Sequence, residues 1–315
     1  MFQAYINIFV IFSLMFLGYY LSYRQWFTNR TADVFSKILL NLSLPFSMFL
    51  NITANFNKHE FLSLVGGMRI PLFSMILTFL TSLLYRRLFK VAPSRQGAFS
   101  TMFTCSNTIF IGLPINMAIF GAKAVPYVLL YYIVNTTIFW TIGVFEIAKD
   151  NPERQQKKMT FHPLVTLKKV FSPALMGFII GLIWMFTGIK VPLFLHQFGK
   201  YLADLTTPLS MFAIGIMVYF AGIKQLKMNW DVCGVLIGRF ILSPLIVWLL
   251  GLVIHVPTMM LAVFMVQSAM PVQNSVPILA RAYKADEEFA SSTLGYSVLI
   301  YLFYIPLLLK VIYSL

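Results

Sequence analysis

Apolar runs of about 20 residues, the length a helix needs to cross the hydrocarbon core of a bilayer, alternate along this chain with short polar connections. Ten such runs are read, at 3–22, 33–53, 66–86, 98–119, 124–146, 171–189, 197–221, 232–254, 257–281 and 290–313. They are taken as helices because a helix satisfies its own backbone polar groups in lipid. The expected fold is an all-α integral membrane protein with ten transmembrane helices. The first run has no basic residue before it and no small-residue cleavage site, and it exceeds a signal-peptide h-region, so it counts as helix one.

The one long polar connection, KDNPERQQKKMTFHPLVTLKK at 149–169, leaves five predicted helices on each side. It divides the chain into a first repeat at 1–148, a linker at 149–170 and a second repeat at 171–315. The division is a repeat because FSKILLNLSLPFSMF (35–49) lies over FGKYLADLTTPLSMF (198–212) with eight of fifteen positions identical, where about one match is expected by chance. The same offset of 163 brings Pro114 onto Pro277, Ile115 onto Ile278 and Ala122 onto Ala285. Five helices per copy is an odd number, so the second copy enters the membrane from the opposite side. The result is an inverted pair, the architecture of secondary transporters.

Composition narrows the class. The chain is 59% hydrophobic and 11% charged, against roughly 25% charged in a soluble domain, which excludes a soluble fold. Its 24 Lys+Arg against 10 Asp+Glu do not gather on one polar face, so the net charge of +14 does not indicate nucleic acid. Sixteen of the basic residues fall in the odd-numbered connections and six in the even ones and the C-terminus. The positive-inside rule then makes the odd connections, the 149–170 linker among them, cytoplasmic and puts both termini outside a cell membrane. Cys105 and Cys233 lie inside apolar runs, with no disulfide or metal-ligand pattern.

Candidate chemistry sits where the apolar runs are interrupted. Helix four carries Gly112 and Pro114 at its middle, and proline removes a backbone donor and clashes with the preceding turn, so a break is expected there. Helix nine carries Pro271 and Pro277 with Gln273, Asn274 and Ser275 between them. Polar residues at that depth are costly unless they face protein or a water-filled site. Interrupted helices at matching places of inverted repeats point to a substrate site, since half-helix N-termini offer N–H groups to an anion. The plainer alternative is a pair of proline kinks.

Lys37 and Lys200 either neutralise a bound anion or snorkel to the interface. Asp204, four residues after Lys200, is either its ion-pair partner or a proton-coupling carboxylate; its repeat mate is Asn41. Arg69 and Arg239 read as interface anchors or helix-packing residues, and Asn135, with Thr136 and Thr137, lines the site or bonds between helices. His59, His162, His196 and His255 fall in connections or at helix ends, without HExxH, a carboxylate pair or a phosphate loop. Neither an enzyme nor a cofactor is expected.

These residues resemble the auxin efflux carrier family, which includes plant auxin carriers and bacterial permeases for malate and malonate. The resemblance is carried by NTIFIGLPINMAIFG (107–121), LSLPFSMF (42–49) with its echo LTTPLSMF (205–212), and SAMPVQNSVPILARAYKAD (268–286). It implies a ten-helix fold like that of bile-acid and sodium/proton antiporter carriers, in which helices four and nine cross at their broken middles. On this chain Asn107 and Pro114 match the crossover of helix four, and Pro271 to Pro277 that of helix nine. The helix-nine prolines stand one residue further apart than in plant members, and the short linker lacks the long hydrophilic loop of the long plant carriers. The resemblance therefore favours a small organic anion such as malate over auxin. A non-transporting sensor that keeps the carrier fold is the alternative. Coupling to protons or to sodium stays open, as does a homodimer.

Overall fold

The computed structural model describes residues 2–55, 66–151, 173–222 and 226–314. Most of the 149–170 linker, and with it His162, therefore lies outside the described residues, as do His59 and Lys58. Among the described residues there is no β-sheet; a single isolated antiparallel bridge joins Ser106 to Val272. Among the same described residues, six helical stretches are long and apolar enough to cross a bilayer: Tyr5–Tyr23, Asn29–Ala54, Ala122–Lys149, Leu193–Phe220, Trp230–Val253 and Glu287–Ile312. Pro173–Thr187 and Thr258–Ser268 are shorter apolar helices.

Two compact units make up the chain. One takes in Met1–Gly67, Ile109–Leu130 and Val170–Phe220; the other takes in Met68–Thr108, Tyr131–Lys169 and Ala221–Leu315. The five-helix halves are a division of the sequence, and the compact units cut across it, each drawing helices from both halves.

In the first unit the helix Leu44–Asn55 packs on Pro173–Thr187 and Leu193–Asp204, and Phe2–Tyr23 packs on Gly112–Phe120. Lipid is as apolar as leucine, so close backbone approach does the work that hydrophobic burial does in water. Gly177 shows this: a Cβ there would collide with the backbone of Pro45. The Asn7 carboxamide donates to the Ala118 carbonyl at 2.7 Å and ties the first helix to Gly112–Phe120. Ahead of Pro45 the helix widens into a π-turn over Leu39–Ser43, closed by the Leu44 N–H donating to the Leu39 carbonyl. A π-turn is a common way to absorb a proline inside a helix without breaking it.

In the second unit α1 (Arg69–Leu88) packs on α2 (Gln96–Thr104), α2 packs on α3 (Val144–Lys149), and α4 (Ser243–Val253) packs on α5 (Thr258–Ser268). The half-helix α6 (Ser275–Ala282) lies against α7 (Glu287–Ile312). Asp150 caps α2: its carboxylate accepts the Gly97 and Ala98 N–H groups at 2.7 and 2.8 Å. Arg86 donates to Glu146 at 2.9 Å beside it. Asp150 is 3% exposed, and burial pushes its carboxyl up to about 7 although the two amide donors pull the other way.

Candidate functional site

Two helices of the second unit stop partway. α2 ends at Thr104, and the helical path resumes only at Gly112, while α5 ends at Ser268 and resumes at Ser275. The interruptions precede the prolines expected to cause them. Pro114 and Pro277 each occupy the third position of the following half-helix, Gly112–Phe120 and α6. The physical reason is that first-turn N–H groups have no intrahelical acceptor, so proline costs nothing there and starts a helix as readily as it ends one. Pro271 alone lies within an interruption.

The two unwound stretches run antiparallel past each other. Asn107 N–H donates to the Pro271 carbonyl at 2.8 Å, and Ser106 bridges to Val272. The Asn107 carboxamide donates through Nδ2 to Asn274 Oδ1 at 2.9 Å. Asn107 is 1% exposed, Pro271 is buried, and Gln273, Asn274, Ser275 and Pro277 are half-buried. The structure thus brings Asn107 together with Pro271 and Asn274. Gly112 and Pro114 are buried and belong to the first unit.

Unwound backbone in a membrane needs partners for every polar group, and here side chains from other helices supply them. Asn135 grips Ser106 twice, accepting its N–H at 2.9 Å and donating to its carbonyl at 3.0 Å. Ser106 Oγ donates to the Gln267 carbonyl, and Gln267 Nε2 to the Thr108 carbonyl. Ser297 Oγ accepts the Val272 N–H at 3.2 Å. Arg239, fully buried, donates to the carbonyls of Phe103, Thr104, Ser268 and Met270.

Of the alternatives open for Asn135, bonding between helices is the one observed. Arg239 does not anchor at an interface; it packs at the crossover. The signal for that was in the pattern: Arg239 stands nine residues into Trp230–Val253, about 13 Å of helix and beyond the reach of a snorkelling side chain. Nothing in spacing marked Gln267, Ser297 or Asp150.

The charged candidates lie elsewhere. Lys200 and Asp204 form an i,i+4 ion pair at 2.6 Å with both side chains more than 60% exposed on the first unit. Asp204 closes the helix Leu193–Asp204, so its ion pair with Lys200 is the one of its two expected roles that the structure displays. Lys37 is exposed, and its carbonyl accepts from its i+4 neighbour Asn41. Among the described residues no group of three His, Cys, Asp or Glu side chains comes together to hold a metal.

A family model described as "Membrane transport protein" matches residues 3–309. The chain is similar to an uncharacterised transporter of Methanocaldococcus jannaschii, 24% identical over 90% of this chain and 91% of that protein. It is also similar to the uncharacterised transporter YfdV of Escherichia coli, 23% identical over 94% of each chain. A third relative, an uncharacterised transporter of Methanothermobacter thermautotrophicus, is 21% identical over 93% of each.

Proposed function

The chain belongs to this membrane transport protein family, the auxin efflux carriers, and from that premise we propose that it is a secondary carrier moving a small organic anion of the malate class across the cell membrane by alternating access. The observation that carries the reading is the joined pair of carboxamides, Asn107 and Asn274, at the meeting of two unwound stretches. Helix interruptions held open by other helices are costly in lipid and are kept where a polar ligand must be bound. The N-terminus of α6 adds a positive dipole end beside Asn274, which suits a carboxylate. The two compact units supply the two bodies that alternating access needs. In this reading ten crossings arranged as inverted repeats carry the site, with both termini outside.

The test is uptake of labelled malate by proteoliposomes holding the purified protein, with succinate and malonate as competitors. Saturable uptake competed by dicarboxylates supports the reading. Binding of dicarboxylates with no uptake under any imposed gradient would favour a sensor on a carrier fold.

A further inference from the structure

Arg239 combines a permanent charge, complete burial and, among the described residues, no acidic partner. Its guanidinium donates to four backbone carbonyls, Nε to Met270 at 3.3 Å, Nη1 to Thr104 at 2.6 Å and Phe103 at 3.2 Å, and Nη2 to Ser268, with the neutral Tyr131 side chain beside it. Among the described residues no carboxylate forms an ion pair with it. The carbonyls are those of two helix ends. Phe103 and Thr104 finish α2, Ser268 finishes α5, and Met270 follows it. Local geometry fits Arg239 there: Gly238 lets its helix close onto the Phe103 ring, where any Cβ would collide, and Arg239 is buried within the π-turn Gly238–Leu242.

A helix C-terminus carries about half a negative charge, so two converging ends make a site of about one negative charge, lined by carbonyl oxygens. Carbonyl ends of broken helices are what coordinate sodium in membrane carriers. Left unneutralised, such a site would also repel an anion bound nearby. The guanidinium, always protonated and forked to reach several acceptors at once, supplies one fixed positive charge.

We propose that Arg239 is a built-in counter-cation, holding the place at the two half-helix C-termini that a coupling alkali ion would otherwise take, so that the crossover hosts its anion without sodium. The proposal rests on the carrier reading for its consequence, but its structural half is testable without any substrate.

The experiment is thermal unfolding of the purified full-length protein in detergent, at constant ionic strength, in sodium, lithium, potassium or choline chloride, with methylguanidinium chloride as a further salt for Arg239→Ala. The wild type is expected to melt at one temperature in all four. Arg239→Ala is expected to melt lower in choline and to be raised, saturably, by sodium, lithium or methylguanidinium, by about 5 °C at a hundredfold excess over the dissociation constant. Arg239→Lys is expected to keep most of the stability and the indifference to sodium. Saturable stabilisation of the wild type by sodium would overturn the proposal. So would an Arg239→Ala protein as stable as wild type in choline, or one that no cation restores. If Arg239→Ala does not fold, the wild-type and Arg239→Lys measurements decide. Uptake by wild-type proteoliposomes should be unchanged when choline replaces sodium, and sodium-dependent uptake would overturn the proposal. Absence of uptake in every salt, with the melting results as expected, would sink the carrier reading and leave the cation assignment standing.

Discussion

The chain has two regions where proline follows polar residues inside an apolar run, and they fold differently. At 35–49 and 198–212, in the first unit, the helices scarcely falter: a π-turn over Leu39–Ser43 in one, a turn at Leu205 in the other. Their polar side chains bond to their own helix, Asn41 to the Lys37 carbonyl and Ser210 to that of Thr207. At 105–111 and 269–274 the helical path is lost altogether, and the partners come from far along the chain, Asn135 and Arg239 among them. Proline itself does not decide the outcome. A helix opens fully where other helices deliver side chains to replace its backbone hydrogen bonds, and it bends where only its own residues are at hand.

Removing a distant partner should therefore cost far more than removing a local one. Asn135→Leu strands two buried backbone groups at Ser106 and is expected to lose roughly 2 to 6 kcal/mol, at about 1 to 3 per group, whereas Asn41→Leu on the exposed face should change little. Chemical unfolding of the two variants side by side measures the difference, and equal losses would erase the distinction. Ser297→Ala strands one group, the Val272 N–H, and should fall between them at about 1 to 3 kcal/mol.

A pH-dependent effect belongs to Asp150, which faces Glu146 and Arg86 from beside the α2 N-terminus. Its carboxyl is raised, so the folded protein holds a proton that the unfolded chain releases between about pH 4 and 7. The stability it contributes is fully present below about pH 4 and is lost as pH rises through about 7, with a slope of at most about 1.4 kcal/mol per pH unit. Asp150→Asn should flatten the melting temperature across that window, and an unchanged slope would assign it to other groups. Smallest of all, Asp204→Asn breaks an exposed ion pair of a kind that adds little to stability. It should leave both the melting temperature and the pH profile of uptake unchanged, and a lost pH dependence would return Asp204 to the coupling machinery.

The six helices long enough to cross a bilayer were legible because bilayer thickness dictates their length, and the motifs at 107–121 and 268–286 because they lie at the interruptions. The expected run at 257–281 is matched by Thr258–Ser268 and Ser275–Ala282, and that at 232–254 by Trp230–Val253. The exact point of opening was misread because proline was taken as a breaker, whereas Pro114 and Pro277 sit in first turns. Asn135 and Arg239 could be seen as polar residues in apolar helices, but their targets lie 29 and up to 136 residues away. Asp150 looked like the edge of a polar linker, since nothing local shows that it meets the start of a helix more than 50 residues earlier.

The central claim is that the joined carboxamides at the crossover bind the anion. A double-mutant cycle on Asn107→Ala and Asn274→Ala, read as the dissociation constant of a dicarboxylate for the purified protein, tests it most directly. Each single variant is predicted to express normally and to bind about 10 to 150-fold more weakly, the loss of one charge-assisted hydrogen bond. The double variant should lose less than the product, because the two side chains are bonded to each other. Wild-type affinity in both single variants would contradict the assignment.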